Sequence, residues 1–340
     1  MRYFRKFLAI TTVLMTIGAT FSVSAQEFAG LLRDETALAL TPTVPNWGMG
    51  GAYVAVPDAT SMNPAALAFA ESGRVTASTG HWNPEAGPNV NSLRLNAVVP
   101  VQQMNGSFRF MGEWFGSRGS DTTRVPLGET EFHATTLGLQ LGVALTENIG
   151  AGVGIYPYEK AEIEYENPAT GADVVDAEAM SQLGSIQGGV QWRVLPQLTL
   201  GVEGSYIIDE LKADIPGGRS EADDYYIRYA AGGICWEPWE TTRVALDYRV
   251  GEIEGEKTAL KPGTKYDQDI DRWSFGIAQE VGMDTTVRVG SKNGGLTLGL
   301  GHRFSEALRI NYVFVDEAFR DKENAFDTIE LHKVALTYSY

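Results

Sequence analysis

Hydrophobic and polar residues alternate one by one along most of the chain. In residues 198–208, Leu198, Leu200, Val202, Tyr206 and Ile208 alternate with Thr199, Gly201, Glu203, Ser205 and Ile207. Leu137, Leu139, Leu141, Val143 and Leu145 alternate with Gly138, Gln140, Gly142 and Ala144, and Val244, Leu246, Tyr248 and Val250 with Arg243, Ala245, Asp247 and Arg249. The pattern returns at Leu296, Leu298 and Leu300, at Leu308, Ile310, Tyr312 and Phe314, and at Val334, Leu336, Tyr338 and Tyr340. A period of two is the mark of β-strands with one dry face.

Alternation alone fits a soluble sandwich as well as a membrane barrel. The links between the strands separate the two. Short links at 146–148, 195–197, 237–240, 282–284 and 305–307 alternate with long polar stretches near 81–91, 117–130, 166–178, 211–223, 254–268 and 317–328, with 293–295 a short exception. Short turns on one side and long loops on the other predict an all-β, transmembrane antiparallel β-barrel of the outer-membrane kind. Residues 74–340 hold about fourteen strands, an even number suited to closure, each needing roughly 9–11 residues to span.

Export is expected from the first residues. Arg2, Arg5 and Lys6 precede an apolar stretch from Phe7 to Phe21, and Val23-Ser24-Ala25 has the small residues of a cleavage box, so residues 1–25 read as a signal peptide. Removing it takes three positive charges from a formal net charge of -16, leaving -19. So acidic a chain gives a nucleic-acid backbone no basic surface to bind. The single cysteine, Cys235, forms no internal disulfide. After residue 25 no stretch reads as a spanning helix, because the longest uncharged window, 36–57, contains Pro42, Pro45, Gly48, Gly50 and Gly51.

The face opposite the apolar stripe carries Glu203, Arg243, Asp247, Arg249, Glu280, Arg288, Arg303, Arg309 and Lys333. Arg or Lys facing lipid near the midplane costs roughly 2–4 kcal/mol, so these residues are expected to line the lumen. Gly138, Gly142, Gly150, Gly152, Gly154, Gly201, Gly299 and Gly301 share that face. Glycine packs nothing and admits a second backbone, which points to a plug or ligand inside. Residues 26–73 lack strand alternation and are the candidate plug. Within them Asn63 to Ala70 reads as a short helix, with Asn63 as N-cap, Pro64 at its first position and Gly73 closing its end in the left-handed region.

Two segments of this plug, Gly48-Met49-Gly50-Gly51-Ala52 and Asn63-Pro64-Ala65, resemble the N-terminal signature of the FadL-type outer-membrane transporter superfamily, which includes the PorV-like proteins. The chain end, Tyr312-Val313-Phe314 and then Leu331 to Tyr340, is similar to that group's closing hairpin with its terminal aromatic. The resemblance implies a fourteen-stranded barrel with an N-terminal hatch, residues 26–73, in the outer membrane of a Gram-negative-type bacterium. It also implies passive uptake of hydrophobic or amphipathic small molecules, fatty-acid-like or aromatic. The alternative it leaves open is a PorV-like scaffold for secreted or surface-attached proteins. Expected partners are the hydrophobic molecule, outer-membrane lipid and lipopolysaccharide, and the outer-membrane assembly machinery.

No catalytic, cofactor-binding or metal-binding set is expected from the spacing. His81, His133, His302 and His332 are scattered and read as strand or loop residues. Gly48-Met49-Gly50 and Gly299-Leu300-Gly301 lack the third glycine of a dinucleotide fingerprint. Asp267, Asp269 and Asp271 begin like a calcium loop, but Arg272 and Ala278 replace the required Gly and Glu, so a solvated acidic loop is expected.

Overall fold

The computed structural model describes residues 42–84, 90–120, 129–167, 172–180, 185–214, 221–255, 266–316 and 329–340. The proposed signal peptide, 1–25, lies outside them, as do residues 26–41 of the hatch. The strands are β1 (Arg74–Pro84), β2 (Val90–Val101), β3 (Gly106–Ser120), β4 (Glu129–Ala144), β5 (Ile149–Asn167), β6 (Ala172–Met180), β7 (Ser185–Leu195) and β8 (Leu198–Asp214). They continue with β9 (Glu221–Trp239), β10 (Thr242–Gly255), β11 (Tyr266–Val281), β12 (Thr285–Lys292), β13 (Gly295–Arg303), β14 (Leu308–Val315) and β15 (Ile329–Ser339).

All pairings among the described strands are antiparallel and close into a barrel. The last strand meets the first, with Arg74 opposite Ser339 and Pro84 opposite Ile329. β6 and β7 share one position in the wall: both pair with β5 and with β8, at different heights. The fifteen strand segments therefore make fourteen staves, as the link spacing predicts. Closure leaves no edge strand and satisfies the backbone between staves, which is what lets a β-structure sit in lipid. No helix among the described residues is long and apolar enough to cross a membrane.

Burial follows the alternation. On β8, Thr199, Glu203, Ser205 and Ile207 are buried while Val202 and Tyr206 are exposed. On β13 the exposed residues are Leu296, Leu298 and Leu300. These exposed apolar side chains form the lipid-facing surface. The inward face of the wall is buried because the N-terminal segment 42–73 fills the barrel, entering from the short-turn end, where Tyr340 N–H donates to the Gly73 carbonyl at 2.9 Å.

Two sequence expectations change. Parts of the polar stretches near 117–130, 166–178, 211–223 and 254–268 are strand, since β5 runs to Asn167, β6 begins at Ala172 and β8 reaches Asp214. Strands that rise beyond the lipid lose their apolar stripe yet keep their hydrogen-bond ladder, so polarity alone reads them as loop. The acidic run at 267–271 likewise lies within β11 and is no loop. The wall is lowest at β12 and β13, joined by Asn293-Gly294 with both residues at positive φ, a two-residue hairpin turn.

Candidate functional site

The plug is built from two short helical turns and the chain between them. Helix α1 (Val44–Trp47) is one turn, with Trp47 N–H donating to the Thr43 carbonyl at 2.8 Å. Gly50 and Gly51 follow at φ 68° and 80°, and the chain turns back so that Gly51 N–H reaches the Asn46 carbonyl. Only glycine takes this pair of left-handed conformations without strain. The second turn is a 3-10 helix, Pro64–Phe69, capped by Asn63, whose Oδ1 accepts from Ala65 N–H at 3.1 Å. It ends at Ala70 with φ -77°, and Gly73 is not left-handed, so the expected glycine cap is corrected: a tight 3-10 turn closes through Ala70 N–H on the Leu67 carbonyl and needs none.

The inner wall receives this segment on patches without side chains. Gly142, Gly152 and Gly189 stand side by side on β4, β5 and β7. A Cβ on any of the three would overlap Asn63, Pro64 or the following backbone. Gly201 and Gly233, paired across β8 and β9, sit against Val54 and Ala55 in the same way. Gly276 and Gly290, paired across β11 and β12, sit against Met49 and Gly50, while Gly299 sits against Gly48. Both motif segments thus lie backbone to backbone on glycine-paved staves. Of the other inward glycines named from the sequence, Gly150 meets Ala65 and Phe69, whereas Gly138, Gly154 and Gly301 meet wall side chains.

Polar side chains of the wall then satisfy the plug's buried backbone, which would otherwise cost roughly 1–3 kcal/mol per orphaned group. Asp247 Oδ2 accepts from both Tyr53 N–H, at 2.6 Å, and Val54 N–H, at 2.8 Å. Gln191 Nε2 donates to the Val54 and Val56 carbonyls, Gln140 Nε2 to Met62, and an Arg109 nitrogen to Ala59. Thr297 Oγ1 accepts from Gly50 N–H and donates to the Gly48 carbonyl. Tyr53 Oη donates to Glu203 at 2.8 Å and accepts from Arg249 at 2.6 Å. Asp58 pairs with Arg243 at 2.8 Å. Burial pushes the Asp58 carboxyl up, but Arg243, Arg74 and the hydrogen bonds from Thr60 outweigh it and hold it well below the usual carboxylate range. With the folded value depressed, the stability this pair adds is present above the ordinary carboxylate range and is lost as pH falls below it.

Glu203, Arg243, Asp247 and Arg249 therefore gather around the plug between Tyr53 and Asp58. Arg288 is buried beside Gly48, and Lys333 is buried 3.5 Å from Glu113. Arg309 is half-buried on β14. Arg303 lies elsewhere: at the short-turn rim it pairs with Asp284 and its side chain is 41% exposed, because the inward parity of β13 runs out into the turn there. Glu280 is exposed at the same end of β11. Charge was a poor guide to the remaining contacts, since Gln140, Gln191, Thr297 and the glycines of β7, β9, β11 and β12 are neutral. Their inward parity was the only available signal.

Asn63 does more than cap. Its Nδ2 also donates to the Val54 carbonyl at 2.8 Å and to the Val202 carbonyl on β8 at 3.2 Å. Loss of a cap alone costs about 0.5–2 kcal/mol. Asn63→Ala should exceed that range by about 1 kcal/mol through the loss of its two further hydrogen bonds, to the Val54 and Val202 carbonyls. Protection of the Ala65 amide in hydrogen exchange reads the lost cap, and an overall destabilisation no greater than that of a cap alone would refute the double role.

Beyond the plug, toward the long loops, the inward residues turn apolar. Trp82, Met111, Phe115, Ile207, Ile227 and Tyr229 are all buried, and Trp82 lies between Trp47 of α1, which it meets edge to face, and Phe115, tilted against it, at centroid distances of 6.2 and 6.3 Å. These positions break the rule of an apolar outside and a polar inside. Their trace in the sequence is a pair of successive apolar residues, as at Ile207-Ile208. Between the plug and β1, β2 and β15 lies a cavity of about 40 Å³, lined by Thr43, Thr60, Arg94, Asn96 and Lys333, with space for water alone. Below the plug a wider hollow of about 550 Å³, lined by Ala68, Ala70, Gln102, Asn105 and Thr146, opens at the short-turn end.

A fourteen-stave wall closed around an N-terminal segment has counterparts among solved structures. The Pseudomonas aeruginosa FadL homologue superposes with a TM-score of 0.61 at 14% identity, covering 88% of this chain and 98% of that one. The fold is FadL-type. The Pseudomonas putida toluene transporter TodX aligns at 0.57 and 15% identity over 87% and 96%. The Ralstonia pickettii toluene transporter TbuX aligns at 0.53 and 12% over 88% and 98%. No protein-family model matches the chain, and no curated protein matches it by sequence. The FadL-type neighbours named here are transporters or their homologues, so the scaffold alternative gains nothing from them.

Proposed function

We propose that this chain carries hydrophobic small molecules, aromatic hydrocarbons or fatty-acid-like compounds, across the outer membrane by diffusion, without catalysis. The observation that supports this most is the sequence of environments along the lumen. Trp82, Met111, Phe115, Ile207, Ile227 and Tyr229 give the inner wall an apolar face, part of it packed on the plug residues Tyr53, Val54 and Met62, next to a plug that blocks water. An open porin has no use for such a seal, whereas a hydrophobic solute gains about 25 cal/mol per Å² of apolar surface it hides from water. The TodX and TbuX structures, named as toluene transporters, give the substrate class its precedent in this fold. Passage then requires the plug to shift or the wall to part. Export through a cleaved signal peptide, insertion by the outer-membrane assembly machinery, and contact with outer-membrane lipid and lipopolysaccharide belong to the same proposal.

The test is uptake into proteoliposomes. Toluene-like and fatty-acid probes should enter severalfold faster than into protein-free vesicles, and Phe115→Glu, which puts a charge on the apolar inner face, should remove most of the gain. Rates equal to those of protein-free vesicles across several compounds would overturn the proposal.

A further inference from the structure

The inner wall already binds a phenol, that of the plug's own Tyr53. This residue is fully buried and lies in one apolar cluster with Met111 of β3, Ile207 of β8, and Ile227 and Tyr229 of β9. Its hydroxyl donates to Glu203 Oε1 at 2.8 Å and accepts from an Arg249 nitrogen at 2.6 Å. Both partners belong to the wall, and each has a hold besides Tyr53. Gln187 Nε2 on β7 donates to the other Glu203 oxygen at 3.2 Å. Arg249 reaches Glu203 Oε1 at 3.5 Å, and its guanidinium lies 4.7 Å from the centre of the Tyr229 ring. If the plug shifts to let a solute pass, the Tyr53 side chain withdraws and this cradle stays on the wall. Its acceptor and donor then lose a partner at the end of an apolar surface, where a missing hydrogen bond is costly.

We propose that Glu203, Arg249 and the apolar residues around Tyr53 form a subsite for a neutral, hydroxyl-bearing aromatic solute of the phenol type, which takes the place of the Tyr53 side chain. The subsite narrows the substrate class of the proposed transport and rests on that reading. A phenol hydroxyl donates to Glu203 and accepts from Arg249 at once, as Tyr53 does, and with a pKa of about 10 it is neutral at pH 7. An aromatic hydrocarbon fills the apolar part and leaves both polar partners without a bond. A carboxylate has no proton for Glu203 and sets a second negative charge against it. Sites built to bond a hydroxyl discriminate against the analogue that lacks it, because their own polar groups are then left unpaired. Solute and plug compete for the same two bonds. Binding therefore loosens the plug next to them, at the Tyr53 and Val54 amides that Asp247 holds.

The experiment compares p-cresol, toluene and 4-methylbenzoate, the same methylated ring with a hydroxyl, no polar group or a carboxylate, on the full-length protein folded in detergent. p-Cresol should speed hydrogen exchange at the Tyr53 and Val54 amides severalfold, while toluene and 4-methylbenzoate at equal concentration should leave both protected. Glu203→Leu, which removes the acceptor, should abolish the p-cresol effect. Tyr53→Phe, which removes the competing hydroxyl, should lower the p-cresol concentration needed severalfold, and it serves as the variant if Glu203→Leu fails to assemble. In proteoliposomes the gain over protein-free vesicles should be severalfold larger for p-cresol than for toluene. Exchange unmoved by p-cresol, or moved equally by toluene, overturns the subsite. Equal gains in uptake for p-cresol and toluene overturn it too and leave transport standing. No gain for any of the three removes the transport reading, and the exchange result alone then decides whether the wall binds phenols.

Discussion

A chain lacking residues 26–73 is expected to assemble and to conduct small ions, while the intact chain conducts little. The wall closes by its own ladder, with β1 paired to β15 along the full length of each, so the barrel does not need the plug to satisfy its backbone. The plug, however, supplies hydrogen-bond partners to many inward side chains. Removing it exposes Asp247, Gln191, Gln140 and Arg109 to the lumen, together with the Arg243 and Asp58 pair reduced to its cation. Polar groups deprived of partners take up water, and the glycines that received the plug leave open space beside them. The result is a wet path where a sealed one stood. Single-channel recording in planar bilayers reads it. An assembled but silent truncated barrel would mean that the seal lies elsewhere, in the packed apolar side chains around Trp82 and Phe115.

Much of this architecture was legible in the sequence, and the parts that were not share a physical cause. Period-two alternation located the staves because lipid punishes a polar residue on the outer face at every second position. Residues 211–214 and 221–223 escaped because beyond the lipid both faces of a strand are wet. The inward glycines were read as room for another backbone, and Gly142, Gly152 and Gly201 face the plug in that way. Which backbone segment meets which stave was not legible, since register across β4, β5 and β7 brings Gly142, Gly152 and Gly189 together from distant stretches. The two motif segments at 48–52 and 63–65 gain their meaning the same way, as the pieces of plug that lie flat on those rows.

Asp247 and Gln191 mark a further boundary. Both were inward by parity, yet nothing in the sequence distinguishes Asp247, which holds two plug amides, from Arg303, which ends at the rim. Height along the strand decides between them. Height is set by where the turns fall, which a charge pattern does not record.

The second large effect is expected at Gly152. Its inner face lies against the backbone of Pro64 and Ala65, so a side chain there meets a carbonyl and an amide that belong to a 3-10 turn and have nowhere to retreat. Overpacking in a tight core costs about 1–3 kcal/mol when side chains can rearrange. Against fixed backbone Gly152→Val should exceed that range, and the strain is relieved by giving up the plug rather than the wall. Valine is a favourable strand residue, so β5 itself should keep its ladder to β4 and β7. The variant should therefore assemble with normal heat-dependent gel mobility, yet expose residues 42–73 to protease and conduct ions as the truncated chain does. Gly188→Ala, one stave across and facing outward where a Cβ meets nothing within 4 Å, should match the wild type in both assays. A Gly152→Val barrel with a protected plug and no conductance would show that the segment docks by its hydrogen bonds alone and that the glycine rows are not what admits it.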